Sequence, residues 1–167
     1  DLLVLYVSSN SATIPLTQSG WTNIGGIKTG GGLSSTAWVR TATGTETGTH
    51  SISGITGGTK GLAWIGLYRP AAAGNAITAS TALGADTDST STAYTATAPA
   101  LTTAVDDRLV ALTTVLTTGT FSANASSPTL TQAGATLTAT ARFAGRSFTN
   151  TVYYGQVDAA VTTGSTG

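Results

Sequence analysis

The chain has 167 residues, with seven basic and seven acidic side chains and neither cysteine nor methionine. The length suits a single domain with a sizeable hydrophobic core. Balanced charge without a Lys/Arg cluster argues against nucleic-acid binding. The lack of cysteine excludes disulfides and thiolate metal sites, and no apolar run approaches the roughly 18 residues of a membrane-spanning helix, so we expect no membrane insertion.

Clusters of glycine divide the chain into short runs rich in β-branched and aromatic residues, which is typical of strands joined by tight turns. We predict strands at 2–8, 20–25, 35–43, 48–54, 61–68, 75–80, 91–97, 108–117, 128–132, 136–143 and 154–161. Capped helical patterns are lacking, although 71–73 and 100–107 could each form a turn. The pattern predicts an all-β fold, an antiparallel β-sandwich of jelly-roll or immunoglobulin-like type.

The segment 61–68 is apolar on both faces of its predicted strand. Leu62, Trp64 and Tyr68 share one side, and Ala63, Ile65 and Leu67 share the other. Such a strand is expected in the centre of its sheet. Its second face would then meet a loop, another sheet or another subunit, and we favour a loop.

Threonine dominates the polar surface, with 36 threonines against 14 charged residues. In 136–143, three threonines and Arg142 alternate with Leu, Ala, Ala and Phe, so the segment predicts one half-buried strand. A surface of hydroxyl groups with few charges favours an extracellular or virion-surface protein over a cytoplasmic one.

A faint internal repeat relates the two ends of the chain. Residues 1–5 resemble 107–111, and 38–42 lie about as far after the first segment as 141–144 after the second. We therefore predict one sandwich domain over 1–167, built from similar halves at about 1–80 and 100–167. Chance similarity between Thr/Ala-rich segments is the alternative. The second half stops where its closing hairpin would begin, and the first strand starts at once, so we expect a processed chain or a fragment.

Few residues could carry chemistry. His50 is the only histidine, in phase with Ile52 on the apolar side of its segment, and we interpret it as a packed structural residue. Without a second His or any Cys, a conventional zinc site is excluded, and no Gly-x-Ser-x-Gly motif presents a nucleophile. The run 86–89 lacks the later ligands of a calcium loop and is better explained as solvated. We expect no enzyme activity, no cofactor and no metal.

The best candidate for ligand or subunit contact is Tyr153 and Tyr154, in a loop-like stretch near Arg142 and Arg146. Exposed aromatic rings could stack on a sugar. The alternative is that the adjacent tyrosines divide between the core and its rim. The three tryptophans are expected in the core or in interfaces.

An ordered series of short motifs runs through most of the chain. It comprises Asp1–Val4, Gly20–Thr22, Ala37–Glu46, Thr49–Ser53, Ala63–Arg69, Thr97–Pro99 and Asp107–Val110. This series resembles a β-sandwich module of tail-associated and other virion proteins from phages of high-GC Gram-positive bacteria. Similar modules occur in bacterial surface proteins. The family has no established catalytic residues, and its members tend to carry an aromatic residue where His50 stands.

The resemblance implies a non-enzymatic structural or adhesive component of a phage virion. It would be a tail-associated protein, a fibre module or a capsid decoration protein. We expect it on the virion surface, extracellular, as a homo-oligomer that contacts other virion proteins or a host surface glycan. The alternative is a carbohydrate-binding module of a bacterial surface protein.

Overall fold

The computed structural model describes residues 1–10, 13–28, 33–44, 46–57 and 61–70, followed by the strand segments 102–103, 108–116, 130–132, 135–137, 140–147, 152–160 and 165–166. The chain forms two compact units, Asp1–Pro99 and Ala100–Gly167. Within the described residues, all regular secondary structure is β-strand, and every strand pair is antiparallel. The predicted all-β class is confirmed to this extent.

The first unit contains a four-stranded sheet. Its strands are β1 (Leu2–Asn10), β2 (Thr22–Lys28), β3 (Leu33–Thr41) and β4 (Gly61–Tyr68), in the spatial order β2-β3-β1-β4. Leu5 of β1 lies opposite Trp38 of β3 on one side and opposite Ile65 of β4 on the other. These three residues therefore share one face of the sheet.

The two interior strands of this sheet are β3 and β1, and the prediction that 61–68 is central is wrong for the described sheet. All residues from Leu2 to Ser9 are buried, so β1 is covered on both faces. By contrast, β4 lies at one edge, where Ile65 and Leu67 are 39% and 48% exposed. Both segments are rich in apolar residues, but only β1 is paired on both sides within the described sheet.

The core on one face is built around Trp38, which is completely buried. Leu5, Val7 and Ile14 pack against it, and Trp21 and Ile52 cover the margin of the cluster. Burying side chains such as Leu5 and Val7 stabilises the fold by about 1.5–3 kcal/mol each. This face bears the candidate binding surface.

The segment 48–54 is not a strand, contrary to the prediction. It runs as a loop that meets the sheet through side chains, with Ile52 half-buried against the core. Gly48 and Gly54 have φ of +93° and +78°, values at which the backbone leaves the extended conformation. The alternation of polar and apolar residues in 48–54 therefore reflects a loop with one side packed on the core.

In the second unit, the described residues form seven short or medium strands. They are β5 (Thr102–Thr103), β6 (Arg108–Leu116), β7 (Leu130–Gln132), β8 (Ala135–Leu137), β9 (Thr140–Ser147), β10 (Val152–Ala160) and β11 (Ser165–Thr166). The longest three form a sheet in the order β6-β10-β9, while β7 pairs with β8 and β5 pairs with β11. Strand β5 lies in the segment 100–107, where the sequence predicted a turn.

The threonine-rich segment 136–143 is not one strand. Thr136 belongs to β8 and pairs with Thr131, whereas Phe143 belongs to β9 and pairs with Gln156. The alternating pattern continues across the junction, so the sequence carried no signal of the change of partner.

The segments compared in the predicted repeat pair differently in the two units. In the first, β1 pairs directly with β3, whereas in the second β6 pairs with β10, and β10 separates it from β9. The repeat itself stays a prediction. The predicted strands 75–80 and 91–97 and the acidic run 86–89 lie outside the described residues. In the described part of the chain, no helix is long and apolar enough to cross a membrane.

Candidate binding surface

Two loops form a second layer over the face that carries Trp38. We call residues 13–21 and 42–57, without Thr45, the loop layer. Thr13 and Thr56 join the loops by two backbone hydrogen bonds, of 2.8 and 3.2 Å. The layer closes the core cluster, because Ile14 from one loop and Ile52 from the other both pack on it.

Gln18 connects the two loops by its side-chain amide. Its Nε2 donates to the Ser53 carbonyl at 2.9 Å, and its Oε1 accepts from the Ser53 N–H at 3.3 Å. Gln18 is 9% exposed, so this amide is satisfied inside the protein and not by bulk water. The contact fixes the position of one loop against the other.

Trp38 attaches the loop 13–21 to the sheet. Its indole Nε1 donates to the Leu16 carbonyl at 2.8 Å. The Leu16 side chain nevertheless remains 58% exposed, with its Cδ2 close to Gly26 of β2. Leu16 is therefore an exposed apolar side chain on a backbone that the core anchors.

The second exposed apolar side chain of the layer is Ile55, at 38%. Ile55 follows Gly54, which has a φ of +78° and lies against Pro15. A Cβ added at Gly54 would lie 3.3 Å from Pro15 Cγ. Leu16 and Ile55 thus follow two residues that touch. Leu16 and Ile55 have exposed hydroxyl residues, such as Thr13 and Thr17, near them in the sequence. The surface of the layer therefore combines apolar side chains with neutral polar groups.

The ionisable side chains of the layer, Glu46 and His50, belong to a cluster with Arg40 and the Trp21 ring. Arg40 of β3 forms a salt bridge with Glu46, and its guanidinium carbon lies 4.8 Å from the centre of the Trp21 ring. His50 meets the same ring edge to face, at 6.0 Å between ring centres. Cation–π contact and the ion pair together hold this end of the second loop on the sheet.

The pKa of Glu46 is lowered below its ordinary value of 4.5. The main cause is the Thr43 backbone N–H, which donates to the carboxylate at 3.0 Å. Burial opposes this effect, while the charge of Arg40 and hydrogen bonds from Thr43 Oγ1 and Arg40 add to it. Each favourable contact stabilises the ionised form, so Glu46 stays a carboxylate and does not act as a proton donor near neutral pH.

His50 is a half-buried packed residue, which confirms the prediction made from its phase with Ile52. Among the residues that the structure describes, no three His, Asp or Glu side chains lie close enough to share a metal ion. The outer surface of the layer thus carries apolar side chains and hydroxyl groups, and the carboxylate of Glu46 is paired with Arg40.

The predicted contact residues lie in the second unit. Tyr153 and Tyr154 belong to β10 and not to a loop-like stretch, with Tyr153 opposite Arg146 and Tyr154 opposite Gly145 in β9. Arg142 falls at a β-bulge, where the register shifts between Gln156 and Val157. Only the backbone placement of these residues is described, so a common contact site for them stays a prediction.

Sequence reasoning missed the loop layer. Gln18 and Ser53 are 35 residues apart, and no local pattern announces such a contact. Leu16 and Ile55 each stand among polar neighbours, which sequence patterns assign to ordinary turns. The contact between Arg40 and Glu46 could have been predicted, since the two residues lie six positions apart in the motif Ala37–Glu46.

Comparison of the chain with protein-family models, with curated proteins and with solved structures found no match.

Proposed function

We propose that this protein is a non-enzymatic structural or adhesive component of a phage virion, displayed on the particle surface. The observation that carries the proposal is the loop layer. Its ionisable side chains are engaged, Glu46 with Arg40 of β3 and His50 with Trp21, while its outer surface offers Leu16 and Ile55 among hydroxyls. This arrangement supports contact with another surface and offers no general acid, base or nucleophile in position.

The low charge of the chain supports the same function. Contacts made by apolar and hydroxyl groups change little with ionic strength, whereas contacts between exposed charges are screened by salt. A particle that meets changing salt outside a cell benefits from such a surface. The motif series from Asp1 to Val110 supplies the virion context, as a tail-associated protein, a fibre module or a capsid decoration protein.

The proposal includes a sandwich of jelly-roll or immunoglobulin-like type. It is supported by the burial of β1 on both faces, because an antiparallel sheet with a single covered face alternates buried and exposed residues. Other virion proteins would be the partners, and the protein would repeat around a symmetry axis of the particle.

The experiment is mass spectrometry of density-purified particles from the phage that encodes the chain. Peptides from both units should be present at a constant ratio to the major capsid protein across the particle peak. Absence of the protein from purified particles, with its presence in the infected-cell lysate, would contradict the proposal.

A second candidate function is carbohydrate binding on a bacterial surface. It is favoured by one observation, the placement of Tyr153 opposite Arg146 on neighbouring strands, which brings an aromatic and a cationic residue together. A glycan array with the unaltered protein and with a variant carrying Tyr153→Ala and Tyr154→Ala tests it. Glycan binding that the variant loses would support this function. Binding retained by the variant would remove the site, and no binding by the unaltered protein would remove the function.

A further inference from the structure

Glu46 lies in a part of the loop layer whose backbone has few other attachments. It stands between Gly44 and Gly48, whose φ values are +125° and +93°. A Cβ added at either glycine would have no neighbour within 4 Å, so neither glycine is packed against the described chain. Glycine adopts positive φ values at little steric cost. The backbone near Glu46 can therefore turn if the side-chain contacts of Glu46 are lost.

The described polar contacts of residues 46–49 all belong to the Glu46 carboxylate. It forms the salt bridge with Arg40 of β3. It also accepts hydrogen bonds from the Thr43 N–H at 3.0 Å and from Thr43 Oγ1 at 3.3 Å. The next described attachment along the loop is the ring of His50. One carboxylate therefore holds the start of this segment on the sheet.

Arg40 has a second contact that does not depend on Glu46. Its guanidinium carbon lies 4.8 Å from the centre of the Trp21 ring, within the range of a cation–π interaction. Its Nε is buried and has no hydrogen-bond partner among the described residues. Glu46 is also its acidic partner in that part of the chain. Neutralising Glu46 would therefore leave a stacked guanidinium without a described counter-charge.

We propose that Glu46 is an acid switch, a carboxylate whose protonation releases residues 46–49 from β3. Protonation removes the negative charge that pairs with Arg40. The rest of the loop stays in place, because Ile52 packs on the core and Ser53 is bonded to the other loop. In the open state the Arg40 guanidinium becomes an exposed cation on a surface of apolar side chains and hydroxyls. The layer thus changes from a neutral to a cationic surface in acid.

The direction of the response follows from the contacts of the closed state. They hold the pKa of Glu46 below its ordinary value of 4.5, mainly through the Thr43 backbone N–H, and the charge of Arg40 adds to this against the effect of burial. A lowered pKa favours the closed state fully above the ordinary value, and this preference is lost as pH falls through the lowered value. The switch is therefore closed at neutral pH and opens below pH 4.5.

His50 and Asp1 are the other titratable residues beside this part of the layer. His50 contacts the Trp21 ring edge to face. Asp1 lies at the start of the loop, and its carboxylate is paired with Arg69 at 3.0 Å. Neither residue has a described contact with Glu46. The variant His50→Phe keeps an aromatic ring at this position and removes the second titratable group of the cluster, so it isolates the titration of Glu46.

Spin labelling of the full chain tests the switch, because the chain has no native cysteine. A nitroxide on Thr47→Cys reports motion next to Glu46. The same label on Thr17→Cys, an equally exposed position of the other loop, is the matched control. Electron paramagnetic resonance spectra are recorded at about pH 7 and about pH 3. We expect a mobile component at position 47 at the lower pH and an unchanged spectrum at position 17, since the release is local.

Three variants carrying the label at Thr47 assign the response. Glu46→Gln should give the same spectrum at both pH values. Arg40→Gln should move the transition to higher pH, since the positive charge that lowers the pKa of Glu46 is gone. His50→Phe should leave the transition in place. An unchanged spectrum of the labelled protein in acid, a transition that persists in Glu46→Gln, or equal release at positions 17 and 47 would overturn the proposal. The test needs only purified protein, so its result is independent of the virion context.

Discussion

Gln18 provides the sharpest test of the loop layer, since its amide both donates to and accepts from Ser53. Gln18→Ala removes two hydrogen bonds. Each contributes about 0.5–1.5 kcal/mol net, and because Ser53 is exposed and water can replace its partner, we expect a loss of about 1–2 kcal/mol in the free energy of unfolding. Urea denaturation followed by fluorescence measures this loss as a lower midpoint with an unchanged slope.

Gln18→Glu separates the two bonds. A glutamate can still accept from the Ser53 N–H, but its carboxylate cannot donate to the Ser53 carbonyl and faces that oxygen with negative charge. Burial and this repulsion raise the pKa of the introduced carboxyl in the folded state. The contribution to stability is then fully present below the unfolded-state pKa and is lost as pH rises through the folded-state pKa.

The assay is therefore urea denaturation at about pH 3 and at about pH 7, on either side of the usual range for glutamate. Relative to the unaltered protein, Gln18→Glu should lose about 1–3 kcal/mol at the higher pH and recover most of it at the lower pH. Thr17→Glu, on an exposed neighbour, adds the same charge without the buried contact and should show no such recovery. Equal stability of Gln18→Glu and the unaltered protein at neutral pH would refute the reasoning.

Three further variants test the same layer. Trp38→Phe keeps a buried ring but removes the donor to the Leu16 carbonyl, and should cost about 1–3 kcal/mol in urea denaturation; a cost below about 0.5 kcal/mol would contradict that bond. Glu46→Gln removes a carboxylate with a depressed pKa, so its stability deficit should be present above pH 4.5 and shrink as pH falls through the lowered pKa; a constant deficit would count against the ion pair with Arg40. Gly54→Ala should lower the thermal midpoint, since a side chain at φ of +78° costs about 1–2 kcal/mol, and an unchanged midpoint would show that this backbone conformation is not required.

The strands that sequence predicted well are those with strong local signals. The apolar run of β1 and the Ala-Trp-Val segment of β3 appear directly in the chain, and both strands form within two residues of their predicted ends. The error over 61–68 has a different origin. Apolar residues on both faces indicate that a strand can be covered twice, but only tertiary structure shows which strand lies between two others. In this sheet β1 and β3 each lie between two other strands, and β4 lies at an edge.

The candidate site could not be predicted because its contacts are non-local. Trp38 reaches a carbonyl 22 residues away, and Gln18 reaches Ser53 across 35 residues. His50 was interpreted correctly because its phase with Ile52 reports its burial even outside a strand. The predicted strand 48–54 failed for the same reason, since a loop with one apolar side shows the alternation of a half-buried strand.

We propose that the protein is exposed on a phage particle as a structural or adhesive component. Immunogold electron microscopy of intact particles, with antibodies raised against the purified chain, tests it most directly. We expect regular labelling at one kind of location, on the tail or on the capsid, and loss of the label when free protein competes for the antibody. Particles that contain no label, from a lysate in which the antibody detects the protein, would contradict it.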